Sequence, residues 1–218
     1  MKNQLFLLSV LVCWFSQAQV FEFQTSDKGQ SLTHRILMDE EYIIETIYQE
    51  NPALFVLTRG GFYQKDGSQI SAKLEFNSQY TKDSLKTFRW DRTAWKAKQT
   101  KDQILDGKWL MAGRVKPEGE QRRDITRSRK TMKFLRDGCF QWTAFNTETF
   151  QFFGSGGGIY TADKGNYVEQ IGYFSRDNSR VGARLSFEYD RKANDWYHKG
   201  FSSKGKPLHE IWTERPKE

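Results

Sequence analysis

The chain has 218 residues, a formal net charge of +7 and 15% aromatic residues. Beyond its first residues it contains no apolar stretch approaching the roughly 20 residues of a membrane-spanning helix, which excludes a multi-spanning membrane protein. The length is enough for one large domain or two small ones.

The N-terminus predicts a secretory signal peptide. Lys2 gives a positive start, residues 5–15 form an apolar run, and Ser16-Gln17-Ala18 offers small side chains at the positions that signal peptidase reads. A membrane anchor would need a longer run, and lipidation of Cys13 is disfavoured by the bulky residue before it. We therefore expect removal of residues 1–18 and a secreted or periplasmic protein that does not work on nucleic acid.

Removal of the signal leaves Cys139 as the single cysteine, in an apolar stretch between Gly138 and Phe140. One cysteine cannot form an intramolecular disulfide, so the fold must be held by packing. We expect a buried structural thiol rather than a nucleophile.

The first half of the mature chain predicts β-strands. Residues 41–48 have a mixed spacing that also fits a helical turn, but their β-branched content favours a strand. Residues 54–57 continue the pattern, and Asp66-Gly67 marks a turn. The polar stretch 98–102 is typical of a linker. We therefore divide the mature chain into a first unit, residues 19–100, and a second unit, residues 101–218.

A basic segment lies near the start of the second unit. Residues 114–136 hold nine Lys and Arg side chains against three carboxylates. Such a patch suits an anionic partner, for example an envelope lipid or glycan, and a solvated basic hairpin loop is the alternative interpretation. The candidate contacts are Arg122, Arg123, Arg127, Arg129 and Lys130.

Period-two alternation of apolar and polar residues recurs through the rest of the second unit, which is typical of half-buried strands. Turn residues such as Asp137-Gly138 and Lys164-Gly165-Asn166 separate the runs, as in a β-sandwich or barrel. The candidate strands are residues 131–136, 140–145, 166–173, 184–189 and 209–213.

The two units share an ordered series of similar residues. Residues 59–66 match 156–163 at a shift of 97, residues 88–92 match 187–191 at 99, and Trp95 matches Trp196 at 101. Because the drift is small, the series predicts two copies of one β-rich unit. It leaves open whether the copies form two barrels or one joined sheet system.

Glycines stand at the same place in both copies. Gly60-Gly61 and Gly156-Gly157-Gly158 lead into strand-like sequence, and glycine in a strand usually marks a bulge or sharp corner. A phosphate-binding loop is disfavoured because no Gly-Lys-Ser/Thr follows.

The motifs of the second unit resemble those of secreted, lipocalin-like (calycin-type) proteins of Bacteroidetes-type bacteria. The match covers residues 107–215 and starts with the Gly-x-Trp of Gly107-Lys108-Trp109. The first unit lacks a Gly-x-Trp motif at its start, and it is similar to the family only through its internal similarity to the second unit. The resemblance implies tandem antiparallel barrel or half-barrel units whose interior holds a small apolar or amphipathic ligand. The later motifs are Cys139-Phe140-Gln141-Trp142, residues 156–161, Tyr167-Val168-Glu169, residues 196–200 and Glu210-Ile211-Trp212.

Aromatic and polar residues of the second unit are the candidate ligand contacts, although each aromatic also suits a packed core. Glu169 shares a face of its predicted strand with Tyr173. If that face is inward, the carboxylate needs a cation, for which Arg136 or Arg184 is available, and the opposite register leaves it in solvent. The candidates are Trp142, Tyr160, Glu169, Tyr173, Tyr189, Trp196 and His198.

The sequence contains no motif for catalysis or metal binding. His34, His198 and His209 lie in no metal-ligand spacing, and there is no nucleophile elbow. We therefore predict an all-β protein of tandem lipocalin-like units that binds a small hydrophobic or amphipathic molecule, without catalytic residues, metal or cofactor. The alternatives are a surface module that docks through the basic segment and, less favoured, a calycin-type hydrolase or isomerase.

Overall fold

Two antiparallel sheets form the architecture of the protein. The computed structural model describes residues 20–99 and 101–217, so the signal peptide predicted at residues 1–18 lies outside the described part of the chain. The strands are β1 Val20–Asp27, β2 Gln30–Met38, β3 Tyr42–Gln49, β4 Leu54–Asp66, β5 Gln69–Asn77, β6 Thr87–Asp91, β7 Lys96–Ala97, β8 Gly107–Lys116, β9 Gly119–Arg122, β10 Arg129–Arg136, β11 Cys139–Asn146, β12 Phe152–Asp163, β13 Asn166–Phe174, β14 Arg184–Lys192, β15 Asp195–Phe201 and β16 Pro207–Glu214.

Within residues 20–99 and 101–217, helical structure is limited to short connections. They are the helix α1, Tyr80–Asp83, and two 3-10 turns, Arg92–Ala94 and Asn178–Arg180. None of the described helices has the length and hydropathy needed to cross a bilayer.

The second sheet closes on itself as an eight-stranded antiparallel barrel. Its strand order is β10-β11-β12-β13-β14-β15-β16-β8, and β8 also pairs with β10. β9 extends β8 as a hairpin. The first sheet is a curled half-barrel in the order β6-β5-β4-β3-β2-β1-β7, with β6 and β7 at its open edges. The predicted all-β fold with barrel and half-barrel units is confirmed.

The half-barrel packs one face against the barrel. Val20, Leu37 and Ile44 from the first sheet form one core cluster with Phe134 and Cys139 from the second. The opposite face of the half-barrel buries a separate cluster that includes Ile36, Ile43 and Trp90.

All eight residues of β3 are buried. Tyr42 and Ile44 face the barrel, whereas Ile43 faces the other cluster. Covering on both faces explains why the segment lacks the polar–apolar alternation of a half-buried strand. The β-branched residues suit the extended backbone, as predicted for this segment.

The matched glycines occupy equivalent bulges in the two sheets. The pairing of β4 with β5 slips between Gly60 and Gly61, and the pairing of β12 with β13 slips between Gly157 and Gly158. A Cβ on Gly158 would stand 1.9 Å from the carbonyl oxygen of Gln170, so no side chain fits there. The predicted role of these glycines as a bulge is confirmed.

The lower end of the barrel, which carries the turns at residues 137–138, 164–165 and 193–194, is closed by the chain that precedes β8. Leu105 is fully buried in the barrel cluster. Asp106 accepts hydrogen bonds from the Tyr160 hydroxyl and, at 2.9 Å, from the backbone N–H of Asp137. The segment therefore covers this end of the barrel.

Candidate functional site

Aromatic side chains fill the lower part of the barrel. Tyr167 lies at the centre, 5.4 Å from the Tyr160 ring and 5.1 Å from the Trp196 ring, measured between centroids. Trp196 in turn packs edge-on against Trp109 at 5.7 Å. These rings are almost completely buried, so the lower half of the barrel is a packed core.

A buried ion pair crosses the middle of the barrel. The Lys133 Nζ atom of β10 lies 2.6 Å from the Glu169 Oε1 atom of β13, and Tyr167 donates a hydrogen bond of 2.8 Å to the same oxygen. The ammonium also lies 5.1 Å from the ring centroids of Tyr167 and Trp196 and 5.3 Å from that of Trp212. Partnering on all sides is what a desolvated charge requires.

Three polar atoms beside this ion pair have no hydrogen-bond partner among the described residues. They are Nδ1 and Nε2 of His198 and Nε1 of Trp196. His198 is only 2% exposed, and its Nδ1 lies 3.6 Å from Glu210 Oε2, slightly beyond hydrogen-bond distance, so this contact is a weak electrostatic one. Buried polar atoms nearly always have partners, so these three atoms are candidate contacts for a further polar group.

The His198 ring is neutral at physiological pH. Its pKa is lowered from 6.5 to about 4, because burial disfavours the charged ring and Lys133 repels a second positive charge. The neutral ring offers one N–H donor and one acceptor nitrogen.

Glu210 supplies a second carboxylate beside His198. It accepts a hydrogen bond of 3.2 Å from Trp212 Nε1, and its closest cationic contact is Arg114 at 4.0 Å. Burial acts to raise the pKa of Glu210, but the His198 ring, Lys133 and Arg114 outweigh it and the pKa is lowered. Its side chain is 15% exposed, so solvent reaches this level of the barrel.

The upper end of the barrel carries the β13–β14 and β15–β16 connections, residues 175–183 and 202–206. Leu185 and Leu208 stand next to these connections and, with Met111 and Trp142, are partly exposed while packing on the barrel cluster. Along β16 the inward residues run Leu208, Glu210, Trp212 from the upper end downward. An apolar mouth, formed by Leu185 and Leu208, therefore lies above a polar floor. The floor consists of His198, Trp196 Nε1, Glu210 and the ion pair of Lys133 with Glu169.

A surface depression of about 490 Å³ lies on the outer wall of the barrel near its upper end, where Glu188, Lys199 and His209 line it. Gly200 and Leu208 line it, together with Phe201, whose side chain is 61% exposed. Because its lining side chains alternate with the buried, inward-facing Phe187 and His198, this depression lies outside the barrel interior.

Six of the seven sequence-predicted ligand contacts lie together in the barrel. Tyr160, Trp196, His198 and Glu169 are buried, and Trp142 and Tyr189 are partly exposed. The inward orientation of Glu169 removes the alternative of a solvated carboxylate. Its cation is Lys133, so the predicted partners Arg136 and Arg184 are wrong.

Tyr173 lies apart from the other predicted contacts. β12 pairs Gly158 with Ile171 but Gly157 with Tyr173, which leaves Gly172 as an extra residue. The bulge turns Tyr173 toward the first unit, where it packs against the Tyr48 ring at 4.9 Å and donates a hydrogen bond of 2.8 Å to Oε1 of Gln141 on β11 of its own unit. The prediction that Tyr173 shares a face with Glu169 is therefore wrong.

The sequence analysis missed Lys133 and Glu210 at this site. Lys133 lies between Met132 and Phe134, an alternation typical of a strand with one wet face. In the fold both faces of β10 are covered, one by the half-barrel and one by the barrel interior. The sequence presented Glu210 only as part of the Glu210-Ile211-Trp212 motif and as the residue after His209 in an alternating strand.

The candidate residues of the basic segment are largely engaged within the protein. Arg122 contacts Asp195 and Glu120, each at 2.7 Å, Arg127 lies 3.7 Å from Asp124, and Arg123 is exposed. Docking of this segment to an anionic partner stays a prediction. The remaining two candidates also have internal contacts. The Arg129 guanidinium lies 3.9 Å from the ring centroid of Phe153, and Lys130 Nζ donates a hydrogen bond of 3.1 Å to the Ile125 carbonyl.

A second buried carboxylate, Glu45, lies on the half-barrel face turned away from the barrel. It accepts from Trp90 Nε1 at 2.8 Å and contacts Arg59 at 2.6 Å and His34 Nδ1 at 2.9 Å. Burial acts to raise the pKa of Glu45, but these three partners outweigh it and the pKa is lowered. His34 Nε2 then bonds the Thr25 hydroxyl at 2.9 Å. No sequence signal had singled out Glu45.

Comparisons with known proteins add no further identification. No protein-family model matches the chain. No curated protein is significantly similar to it.

Proposed function

We propose that the protein is an exported, non-enzymatic binding protein for a small amphipathic molecule, held in the barrel of the second unit. The observation that carries the proposal is the group of unpartnered buried atoms on His198 and Trp196. They belong to the polar floor, which lies beneath the partly exposed apolar side chains of the mouth. A polar head group at the floor and an apolar tail at the mouth match this arrangement.

Export and family are part of the same proposal. The N-terminal run of residues 5–15 supports a secreted or periplasmic location, where small apolar molecules need a carrier in water. The closed barrel and the Gly107-Lys108-Trp109 opening on β8 support a lipocalin-like protein. We retain docking of the basic segment to an anionic envelope lipid or glycan as a weaker proposal, since its cations are largely engaged within the protein.

Native mass spectrometry of protein purified from its own host gives the first test. A co-purifying mass that disappears on denaturation supports the proposal. Repeated preparations without such a mass, combined with no displacement of the apolar dye N-phenyl-1-naphthylamine by any amphiphile, overturn it.

Two substitutions place the ligand in the barrel. Trp196→Phe keeps the aromatic ring and removes the N–H donor, and His198→Leu removes both ring nitrogens. We expect each to weaken binding by at least about tenfold, equivalent to about 1.4 kcal/mol. His209→Gln, one position from Glu210 on β16, is the matched control and leaves binding unchanged. Equal affinity in all four proteins places the ligand elsewhere.

A further inference from the structure

We infer that the barrel floor selects ligands with an uncharged head group that both accepts and donates hydrogen bonds, such as a primary amide or a hydroxyl, and rejects carboxylates. The inference rests on the proposed function and specifies the chemistry of its ligand. It follows from two independent features of the floor, its charge and its hydrogen-bonding groups.

The charge of the floor is unfavourable to anions. Lys133 is already committed to Glu169 at 2.6 Å, so its charge is balanced within the barrel. Glu210 adds a second carboxylate, and its cationic contact, Arg114 at 4.0 Å, is 64% exposed and therefore screened by water. A fatty-acid carboxylate entering this space would lose its hydration and meet like charge without a free cation.

The floor offers both hydrogen-bond donors and a hydrogen-bond acceptor. Trp196 offers one N–H donor, and neutral His198 offers one donor and one acceptor. A carboxylate accepts but cannot donate, and an ammonium donates but cannot accept, so each leaves some of these atoms unpartnered. A primary amide or a hydroxyl does both. The cost of leaving a buried polar atom unpartnered turns this difference into selectivity.

Four ligands with the same eight-carbon chain test the inference: octanamide, 1-octanol, octanoate and octylammonium. Dye displacement is measured at mildly alkaline pH, where the acid is ionised and the amine protonated. We expect octanamide and 1-octanol to compete best and octanoate to be at least about tenfold weaker, with octylammonium between them. Octanoate binding as tightly as octanamide overturns the inference and leaves the proposed function standing. If none of the four competes, the proposed function itself fails for ligands of this size.

A substitution at Glu210 identifies the source of the selectivity. Glu210→Gln removes the negative charge but keeps an acceptor for Trp212. We expect it to improve octanoate binding by about tenfold while octanamide changes less than about threefold. Glu188→Gln, an exposed carboxylate on the outer face of β14, is the control and alters neither value. An unchanged octanoate-to-octanamide ratio in Glu210→Gln, with a native circular dichroism spectrum, contradicts the assigned role.

Discussion

Phe55 and Phe152 stack face to face between the two units, with ring centroids 6.3 Å apart and planes inclined by only 4°. They are separated by 97 residues, the shift that aligns residues 59–66 with residues 156–163. A residue that contacts its own repeat equivalent lies on the rotation axis that relates the two copies. The units are therefore packed about an approximate two-fold axis.

Contacts away from this axis occur in matching pairs. Tyr48 packs against Tyr173 at 4.9 Å, and the shifted pair, Phe145 and Phe76, packs at the same distance. Because each unit supplies half of the interface, neither buries its own faces alone.

The first prediction concerns the coupling of Phe55 and Phe152. In a double-mutant cycle, Phe55→Ala and Phe152→Ala will destabilise the protein by less together than the sum of their separate effects. A stacked pair contributes about 0.5–1.5 kcal/mol of coupling beyond burial. Urea unfolding of the four proteins measures it.

A pair of rings that do not contact each other supplies the control for this cycle. Phe55→Ala combined with Phe201→Ala, a ring exposed at the barrel mouth, should be additive within about 0.5 kcal/mol. Additivity of the Phe55 and Phe152 substitutions would mean that the stacking does not contribute to holding the units together.

The second prediction separates two glycines of the same bulge. In Gly158→Ala the new methyl group meets the Gln170 carbonyl oxygen at 1.9 Å, whereas at Gly172 the nearest atom is 3.5 Å away. We expect Gly158→Ala to cost about 3 kcal/mol and Gly172→Ala less than about 1 kcal/mol. Thermal unfolding measures the difference as a Tm gap of about 5–10 °C. Equal Tm values would show that the bulge adapts to a side chain.

Gly172 also shows why the sequence predicted the fold better than the site. Alternation from Tyr167 to Tyr173 placed four side chains on one face, and this held until the extra residue reversed the direction. The glycine repeat predicted a bulge, but a bulge residue carries no signal that tells which of two paired strands contains it. The sequence therefore predicts which side chains of a strand share a face as far as a bulge, but not which face the residues after the bulge occupy.

Lys133 was missed for a different physical reason. Its neighbours Met132 and Phe134 predict that it faces solvent, and only the closed barrel on its other side makes it internal. Whether a polar position is covered depends on residues more than 30 positions away, such as Glu169. The strands could be predicted from neighbouring residues in the sequence. The partner of a buried charge could not, because it lies far away in the sequence.

The third prediction uses Cys139 as a reporter of unit separation. The thiol is 1% exposed in the cluster shared by both units, and burial raises its pKa, so it is poorly nucleophilic in the folded protein. Protein lacking residues 1–18 should react with a thiol reagent at least about a hundredfold more slowly when folded than in urea. Phe152→Ala should accelerate the reaction, because it weakens unit packing. Rapid labelling of the native protein contradicts the burial of this thiol.

The fourth prediction concerns Glu45 in the half-barrel. Glu45→Ala leaves the buried His34, Arg59 and Trp90 groups without their acceptor, so we expect a loss of about 3–5 kcal/mol. Glu45→Gln keeps one acceptor and should cost less. Chemical unfolding measures both, with the exposed Glu188→Ala as the reference near zero. A loss below about 1 kcal/mol for Glu45→Ala would show that the network contributes little to stability.

The fifth prediction follows from His198. Its pKa is about 4 when folded and about 6.5 when unfolded, so the unfolded chain takes up a proton first as the pH falls. The stability that depends on the neutral ring is complete above pH 6.5 and is lost as the pH drops toward 4. The difference between these pKa values corresponds to about 3 kcal/mol. Lys133, Glu169 and Glu210 are the charged groups that face the ring.

Comparison with an uncharged side chain isolates the effect of this ring. The pKa of the buried Glu45 carboxylate is lowered, so this group costs stability only as the pH falls below its ordinary value of 4.5, and it does so equally in both proteins. Between pH 6.5 and 4.5 the wild-type protein should therefore lose more stability than His198→Gln, by about 2 kcal/mol. His209→Gln should follow the wild type across the same interval. Parallel pH profiles for wild type and His198→Gln would contradict a neutral, desolvated imidazole at the floor of the barrel.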